Sequence, residues 1–325
     1  MENTFPITHS LLSSEHLHIF VSRNYDVGLV KRCKLLVRGL NDTYCVETNR
    51  GRYILRVYRS QWRSRSDIYF ELEVLTFLLE KGIAVSVPLK SIEGQMALEV
   101  KAPEGVRYIT LFTYAPGEPP KLNQGISYQY GKTLASIHNV SDDFKTNHHR
   151  FSLDFKHLLE KPLSLIGPLA DEFDVDVPYI ESWIRFIKKH VPSGLDFGFC
   201  HGDAHDWNAH WNDSTLTLFD FDCCGFGYRA YDIAVFLWNL KTNYKNDVPN
   251  KWNSFLSGYT DFRPLSQEDL KMIPLFVPAR RIWLAGIYLV NEDVWGTGFI
   301  NQQFFRTMVN QLKEDENSLG ISLSY

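Results

Sequence analysis

Twelve residues of the sequence, CHGDAHDWNAHW at positions 200–211, concentrate imidazole, carboxylate and amide side chains. His201, His205 and His210 could ligate a transition metal, and the first two have the four-residue spacing of the zinc signature HExxH. That signature is helical and carries a general-base Glu between its histidines. This segment has no Glu there, and Gly202 favours a loop. Two other interpretations remain, a polar surface loop whose side chains satisfy one another and a catalytic loop.

The spacing of three other residues favours the catalytic interpretation. Asp203 precedes Asn208 by five positions, as in the protein-kinase loop H-R-D-x-x-x-x-N, where the Asp accepts the hydroxyl proton and the Asn binds Mg²⁺. Twelve residues later the strand-like stretch LTLFDFD delivers Asp220, where a kinase has another Mg²⁺ ligand. Phosphoryl transfer needs this set because cations must offset the charge of the nucleotide. We predict Asp203 as the catalytic residue and Asn208 and Asp220 as metal ligands.

These motifs carry a family resemblance. HGDAHDWN, followed by LFDFDCCGFGYRAYDIA, resembles the aminoglycoside phosphotransferase and choline kinase-like superfamily, which comprises small-molecule kinases with the bilobal protein-kinase fold. Asp203, Asn208, Asp220 and Asp232 match four polar positions of its pattern. The resemblance implies Mg²⁺ and ATP, or alternatively GTP, as cofactors. It also implies transfer of the γ-phosphate to a hydroxyl of an amino alcohol, a hydroxy amino acid or an aminoglycoside-like acceptor.

The end of the chain narrows the resemblance. Residues 277–314 are similar to homoserine kinase type II and to the bacterial stress-response kinases. That branch includes a Ser/Thr protein kinase, which is one alternative function. A nucleotide-binding pseudokinase with a regulatory role is another, although the presence of all three predicted catalytic and metal-binding residues favours an enzyme.

The N-terminal half resembles the nucleotide-binding half of the same family. GLNDTYCVET is similar to the nucleotide-loop hairpin and places Asn41 there, and YILRVYR is similar to the strand that carries a phosphate-binding lysine. Arg56 occupies the lysine position, and Glu71 is the residue expected to pair with it. An arginine can bind phosphate oxygens bidentately and stays charged, whereas the alternative is an ordinary surface ion pair. LFTYAPGE resembles the hinge, where backbone groups of Thr113 and Ala115 would bind the nucleobase.

Three features beside the catalytic loop have separate expectations. Asp222 could reach a second metal ion or cap its loop. Cys223 and Cys224 lack the C-x-x-C spacing of zinc or redox sites, and we expect them to be buried thiols. Asp232 is expected to hold the backbone of the catalytic loop through hydrogen bonds rather than to touch the substrate.

The elements around these residues predict an α+β protein. Residues 10–24 and 67–81 have helical spacing, and an alternating pattern on each side of the turn NRG predicts a β-hairpin. GIAVSVPL, MALEV and VRYITLFTYAPGEPP read as strands, and helical patterns dominate afterwards. We therefore predict a bilobal protein-kinase-like fold. An N-lobe at 1–113 has an antiparallel sheet with one main helix, and a larger, mostly helical C-lobe covers 114–325.

Composition excludes several classes of protein. The chain has 325 residues, 44% apolar residues and a net charge of -4, so a basic nucleic-acid-binding surface is not expected. No apolar run approaches the roughly 20 residues of a membrane span. Five cysteines, two of them adjacent, and the lack of a signal peptide predict a cytoplasmic protein. The aromatic residues after 250 are expected to be mostly core.

Overall fold

The computed structural model describes residues 5–323 and divides into two compact units. The first comprises Met1–Pro116 and Lys145–Arg150, and the second Gly117–Phe144 and Phe151–Tyr325. The predicted division at residue 113 had no such inserted segment. The inserted segment Lys145–Arg150 is attached to the first unit by side-chain contacts. For example, the Arg150 side chain donates a hydrogen bond to the carbonyl of Asp67 at 2.6 Å.

The first unit is built on an antiparallel sheet, which has six strands within the described residues. The strands are β1 Val30–Arg38, β2 Asn41–Thr48, β3 Arg52–Tyr58, β4 Pro88–Leu89, β5 Leu98–Ala102 and β6 Gly105–Thr113, and the helices are α1 Ser14–Asn24 and α2 Arg65–Glu80. Their order in the sheet is β1-β2-β3-β6-β4, with β5 also paired to β6.

Local sequence signals explain most of these elements. The Ser13 side chain caps α1 by accepting a hydrogen bond from the backbone of His16, and Ser64 forms a capping box with Asp67 at the start of α2. Gly82, with φ of +80°, follows the end of α2. The two predicted helices and the predicted hairpin of β2 and β3 are confirmed.

Two strand predictions were incomplete. Strand β1 was not predicted, because it is an edge strand whose apolar residues Leu35, Leu36 and Val37 are exposed, so burial does not alternate along it. The stretch GIAVSVPL forms only the two-residue strand β4, since the rest of it is irregular.

The second unit is mainly helical, as predicted. Its helices are α3 Gln124–Val140, α4 Lys161–Ile166, α5 Ala170–Phe173, α6 Val177–His190, α7 Arg229–Asn243, α8 Val248–Thr260, α9 Gln267–Val290, α10 Glu292–Trp295 and α11 Gln302–Leu319. Two short antiparallel pairs complete it, β7 Phe197–Cys200 with β10 Gly225–Tyr228 and β8 Ala209–Asn212 with β9 Thr215–Leu218. These pairs flank the predicted catalytic loop.

Helix α9 is the core helix of the second unit. It is long and apolar enough to cross a membrane, but 67% of its most apolar window is buried against other elements. That burial is ordinary for a core helix. The aromatic residues after 250 divide between core and surface, since Phe255 and Trp283 are buried whereas Phe262 and Trp295 are exposed.

Candidate active site

The segment 200–211 runs from the last residue of β7 through a loop at 201–208 into β8, and the loop contains one 3-10 turn at Asp206–Asn208. Gly202 has φ of +79°, and a Cβ atom there would lie 2.3 Å from the carbonyl oxygen of Cys223. Both the left-handed backbone and the close approach exclude a side chain, so glycine is required. The prediction of a loop is confirmed.

The three histidines of this loop do not form a metal site. Across residues 5–323, the one group of His, Cys, Asp and Glu ligand atoms close enough to share an ion is His138, Cys200 and Asp232. The His201 ring instead lies 3.2 Å from the carbonyl oxygen of Phe219. The transition-metal interpretation of the loop is therefore wrong.

Asp232, fully buried at the start of α7, holds the catalytic loop by its backbone. Its carboxylate accepts hydrogen bonds from the N–H groups of His201 and Gly202, both at 2.8 Å, and from Nε2 of His138 at 2.9 Å. Burial alone would raise the pKa of Asp232, but the hydrogen bond from His138 and the surrounding donors hold it below its ordinary value. The predicted hydrogen bonding of Asp232 to the loop is confirmed.

The hairpin of β8 and β9 brings the two predicted metal ligands together. Ala209 pairs with Leu218, and just beyond this pair the N–H of Phe219 donates to the carbonyl of Asn208 at 3.0 Å. Asp220 is the next residue, so it follows a backbone bonded directly to Asn208. One hairpin thus brings the backbones of Asn208 and Asp220 close together, although twelve positions separate them in the sequence.

Asp220 has an unusual backbone and an exposed side chain. Its φ and ψ are 60° and 64°, the left-handed region that Asp and Asn adopt more readily than most residues.

The side-chain NH₂ of Asn208 donates hydrogen bonds to the carbonyl and the carboxylate of Asp203, both at 3.0 Å. This leaves Oδ1 of Asn208 as its potential ligand atom. Amide and carboxylate oxygens are ligands that suit Mg²⁺.

The Asp203 carboxylate contacts three side chains. One oxygen accepts from Asn208, and the other forms an ion pair with Arg280 and lies 3.4 Å from Nε2 of His205. The Asp203 side chain is 20% exposed, which leaves part of it accessible to a substrate.

Arg280 contacts the predicted catalytic residue, and no sequence pattern identified it. It lies on α9 with 1% of its surface exposed, and its guanidinium also lies 3.3 Å from the carbonyl oxygen of Gly202. The rings of Trp238 and Trp283 flank it, at 4.9 and 4.5 Å from its Cζ. A clue was present, because an arginine inside an apolar helix must find a buried partner.

The pKa of Asp203 reflects this pairing. Burial would raise it, but the positive charge of Arg280, followed by the contribution of His205, outweighs burial and holds the pKa of Asp203 well below its ordinary value. The pKa of Arg280 is raised in turn, since the charge of Asp203 outweighs the effect of burial. Asp203 is therefore ionised at neutral pH.

In the first unit, Arg56 and Glu71 form a buried ion pair. Arg56 Nη1 lies 2.7 Å from Glu71 Oε1, and the side chains are 10% and 1% exposed. Tyr58 donates to the other Glu71 oxygen at 3.2 Å, and the ring of Phe112 lies 5.1 Å from the Arg56 guanidinium. The alternative of an ordinary surface pair is wrong, because this pair is desolvated and shared with aromatic neighbours.

The other predicted nucleotide contacts have different surroundings. The Thr113 N–H donates to the carbonyl of Val87 at 2.9 Å, and its own carbonyl accepts from Ser86 at 2.6 Å. Thr113 could bind a nucleobase through its N–H only by breaking this bond, but its carbonyl oxygen can accept a second hydrogen bond, so Thr113 stays a prediction. Asn41 begins β2 and accepts from the Arg59 N–H at 3.2 Å, and Ala115 is buried; both remain predictions.

Asp222 differs from Asp220 in being buried within the 3-10 turn Phe221–Cys223. Its role toward a second metal ion stays a prediction. Cys223 and Cys224 are buried thiols, as expected.

Comparisons with known proteins agree with this geometry. A family model described as "Phosphotransferase enzyme family" matches residues 35–263. An uncharacterized protein of Deinococcus radiodurans is 37% identical over 325 residues, covering 98% of this chain and 94% of that protein. A homoserine kinase of Chelativorans sp. strain BNC1 is 28% identical over 300 residues, covering 85% and 86%.

Among solved structures, amicoumacin kinase hAmiN in complex with AMP-PNP, Ca²⁺ and Ami has a TM-score of 0.78 with this chain. The sequences are 19% identical, and the match covers 94% of each chain. At that identity the likeness establishes the fold, and the predicted fold class is confirmed.

Proposed function

Because the chain belongs to the phosphotransferase enzyme family, we propose that it transfers the γ-phosphate of ATP to a hydroxyl of a small molecule. The acceptor classes are those expected from the sequence, namely an amino alcohol, a hydroxy amino acid or an aminoglycoside-like compound. The observation that carries the proposal is the joining of Asp203, Asn208 and Asp220 through one hairpin and the amide of Asn208.

In this proposal Asp203 acts on the acceptor. Its ionised carboxylate accepts a hydrogen bond from the acceptor hydroxyl and takes the proton as the new oxygen–phosphorus bond forms. The bond from the γ-phosphorus to the bridging oxygen of ATP breaks in the same step, and ADP leaves. A base with a low pKa suits this reaction, since the transition state is loose and the hydroxyl needs orientation more than early deprotonation.

The nucleotide is held by oxygen and guanidinium groups. Asn208 and Asp220 provide oxygen ligands for Mg²⁺, which when bound neutralises charge on the phosphates. Arg56, positioned by Glu71, binds phosphate oxygens, and Asn41 and Ala115 contribute to nucleotide binding. The solved amicoumacin kinase is itself a complex with AMP-PNP and Ca²⁺, which supports a nucleotide and a divalent cation here.

We place the reaction in the cytoplasm, where ATP is available and thiols stay reduced. All five cysteines are thiols rather than disulfides, which is compatible with that compartment. GTP remains an alternative donor.

An acceptor screen tests the proposal. The protein is incubated with Mg²⁺ and γ-labelled ATP or GTP, together with amino alcohols, homoserine, choline, sugars, aminoglycosides or a generic protein. We expect labelled phosphate on one of the small hydroxyl compounds. If only the generic protein acceptor is labelled, the Ser/Thr kinase alternative is favoured. Nucleotide binding without transfer to any acceptor would favour a pseudokinase.

A further inference from the structure

The second unit contains an open pocket whose lining includes residues of the catalytic loop. Its volume is about 680 Å³, which lies within the range of small-molecule sites. Asp206 and Trp207 of the loop line it together with Glu118, Lys121 and Tyr244.

The chain fixes the walls of this pocket. Gly117 has φ of +94°, and a Cβ atom there would lie 2.1 Å from the carbonyl oxygen of Trp211. This close approach lets Glu118 and Trp211 exchange two backbone hydrogen bonds, of 3.1 and 2.8 Å. The segment after Gly117 is thereby attached to β8, the strand that follows the catalytic loop.

Asp206 is the residue that points to a ligand. It is 3% exposed, and one carboxylate oxygen accepts a hydrogen bond from the hydroxyl of Tyr244. The other oxygen, Oδ1, is buried and has no hydrogen-bond partner among the residues that the structure describes. A buried carboxylate oxygen without a donor is unfavourable, so a cationic donor supplied by a ligand would stabilise it.

The phenol of Tyr244 keeps its proton and therefore stays a hydrogen-bond donor to Asp206. Burial raises the pKa of its phenol, and the hydrogen bond to Asp206 raises it further. Tyr244 therefore remains a donor at neutral pH and occupies one oxygen only. The Oδ1 oxygen of Asp206 stays available for a second donor.

The other walls suit a cation as well. Trp207 is 73% exposed, and an indole face attracts an ammonium group. Glu118 adds a second carboxylate, and Lys121 adds one opposing charge, so the charged lining residues carry one net negative charge.

We propose that this pocket binds the protonated amino group of the acceptor, with Asp206 and Glu118 as counter-charges and Trp207 as an aromatic contact. The inference rests on the proposed phosphotransferase function and assigns its acceptor selectivity to named residues. Asp206 follows Asp203 by three positions, so their Cα atoms are at most about 11 Å apart. An amino alcohol whose amine and hydroxyl are several atoms apart matches this spacing.

Matched pairs of acceptors test the inference. Binding of 4-aminobutan-1-ol and butane-1,4-diol, and of homoserine and 4-hydroxybutyrate, is measured by calorimetry with Mg²⁺ and AMP-PNP present. In the wild-type protein the amine member of at least one pair should bind about tenfold or more tightly than the partner that lacks the amine. Asp206→Asn should reduce that preference to about twofold or less.

Two further variants keep the test decisive. Glu172→Gln changes an exposed acid on α5, outside the pocket, and should leave the preference unchanged. Glu118→Gln changes an exposed pocket residue, so it should fold even if Asp206→Asn does not, and it should lower the preference measurably. Wild-type protein that binds diol and amine equally would overturn the inference, as would a preference that survives in both pocket variants.

Parallel transfer assays with ATP separate the two proposals. Selective amine binding without phosphate transfer would contradict the proposed function and leave the amine site standing. Transfer to the members with and without an amine with equal kcat/KM and equal affinity would support the function and overturn the amine site.

Discussion

The carboxylate of Asp203 contacts three side chains, and each contact limits how it can act as a base. Asn208 fixes one oxygen, while Arg280 and His205 lie against the other. The low pKa that results makes Asp203 a weak base that is always ionised, which favours orientation of a hydroxyl over early proton removal. In the proposed reaction Arg280 is thus a positioning residue that acts through Asp203.

Replacement of Arg280 by Met should change the pH dependence of catalysis. Burial of Asp203 would persist while the opposing charge is lost, so its pKa should rise. The ionised base is then lost at a higher pH, and the acidic limb of the kcat/KM profile should move upward by about one unit or more. At pH 7 we expect kcat to fall by roughly 10- to 100-fold, less than the roughly 10²- to 10⁴-fold expected for loss of the general base itself, because Asp203 is still present.

Arg185→Met is the matched control, since that side chain is 60% exposed on α6. Arg280→Lys, which keeps the positive charge, should restore part of the acidic limb. An unchanged pH profile in a folded Arg280→Met protein would contradict the role of Arg280.

At the scale of elements, the sequence predicts contacts between residues that are close in the chain better than contacts between distant ones. Asp203, Asn208 and Asp220 lie within 18 positions, and one loop and one hairpin connect them, so their spacing predicted their convergence. Arg280 is 77 positions from Asp203, and no local pattern encodes that contact. The bond from the Thr113 N–H to Val87 could not be predicted, because a hinge sequence does not show which backbone groups the neighbouring segment already uses.

Gly202 tests whether the loop backbone is as constrained as its geometry indicates. Gly202→Ala should destabilise the protein by at least about 1–3 kcal/mol, because it combines a left-handed backbone with an approach of 2.3 Å to a carbonyl. Phosphate transfer should fall strongly, since Asp203 is the next residue. Unfolding by urea and kcat/KM report the two effects.

Gly194→Ala is a suitable comparison, because a Cβ atom at Gly194 has no neighbour within 4 Å and its φ is not positive. Equal stability and activity in the two alanine variants would show that the loop tolerates a side chain at Gly202.

At the scale of the whole molecule, buried histidines link stability to pH. Burial lowers the pKa values of His138 and His201, and the nearby Asp232 only partly offsets this effect. Both rings are neutral when folded but titrate near pH 6.5 when unfolded. The unfolded state therefore binds more protons below about pH 6.5, and stability must fall as the pH is lowered through that window.

The free energy of unfolding should decrease on acidification from pH 7 to pH 5 with a slope approaching about 1.4 kcal/mol per pH unit for each histidine. Asp203 and Asp232 also have lowered pKa values, but the stability that they contribute is lost only below about pH 4. They therefore do not affect the slope between pH 7 and pH 5. Urea titrations across this range measure the slope. A His138→Asn variant should show a smaller slope, and exposed His16→Gln should not; a pH-independent stability would contradict neutral buried rings.

The most direct test of the central claim compares Asp203→Asn with the wild-type protein in phosphate transfer and nucleotide binding. The variant retains a similar side-chain size, so Mg²⁺·AMP-PNP should bind with a Kd within about threefold of the wild-type value. Transfer to the best acceptor should fall by about 10² to 10⁴, as expected for loss of a general base. Undiminished transfer by the folded variant would contradict the assignment of this loop as the phosphotransfer centre.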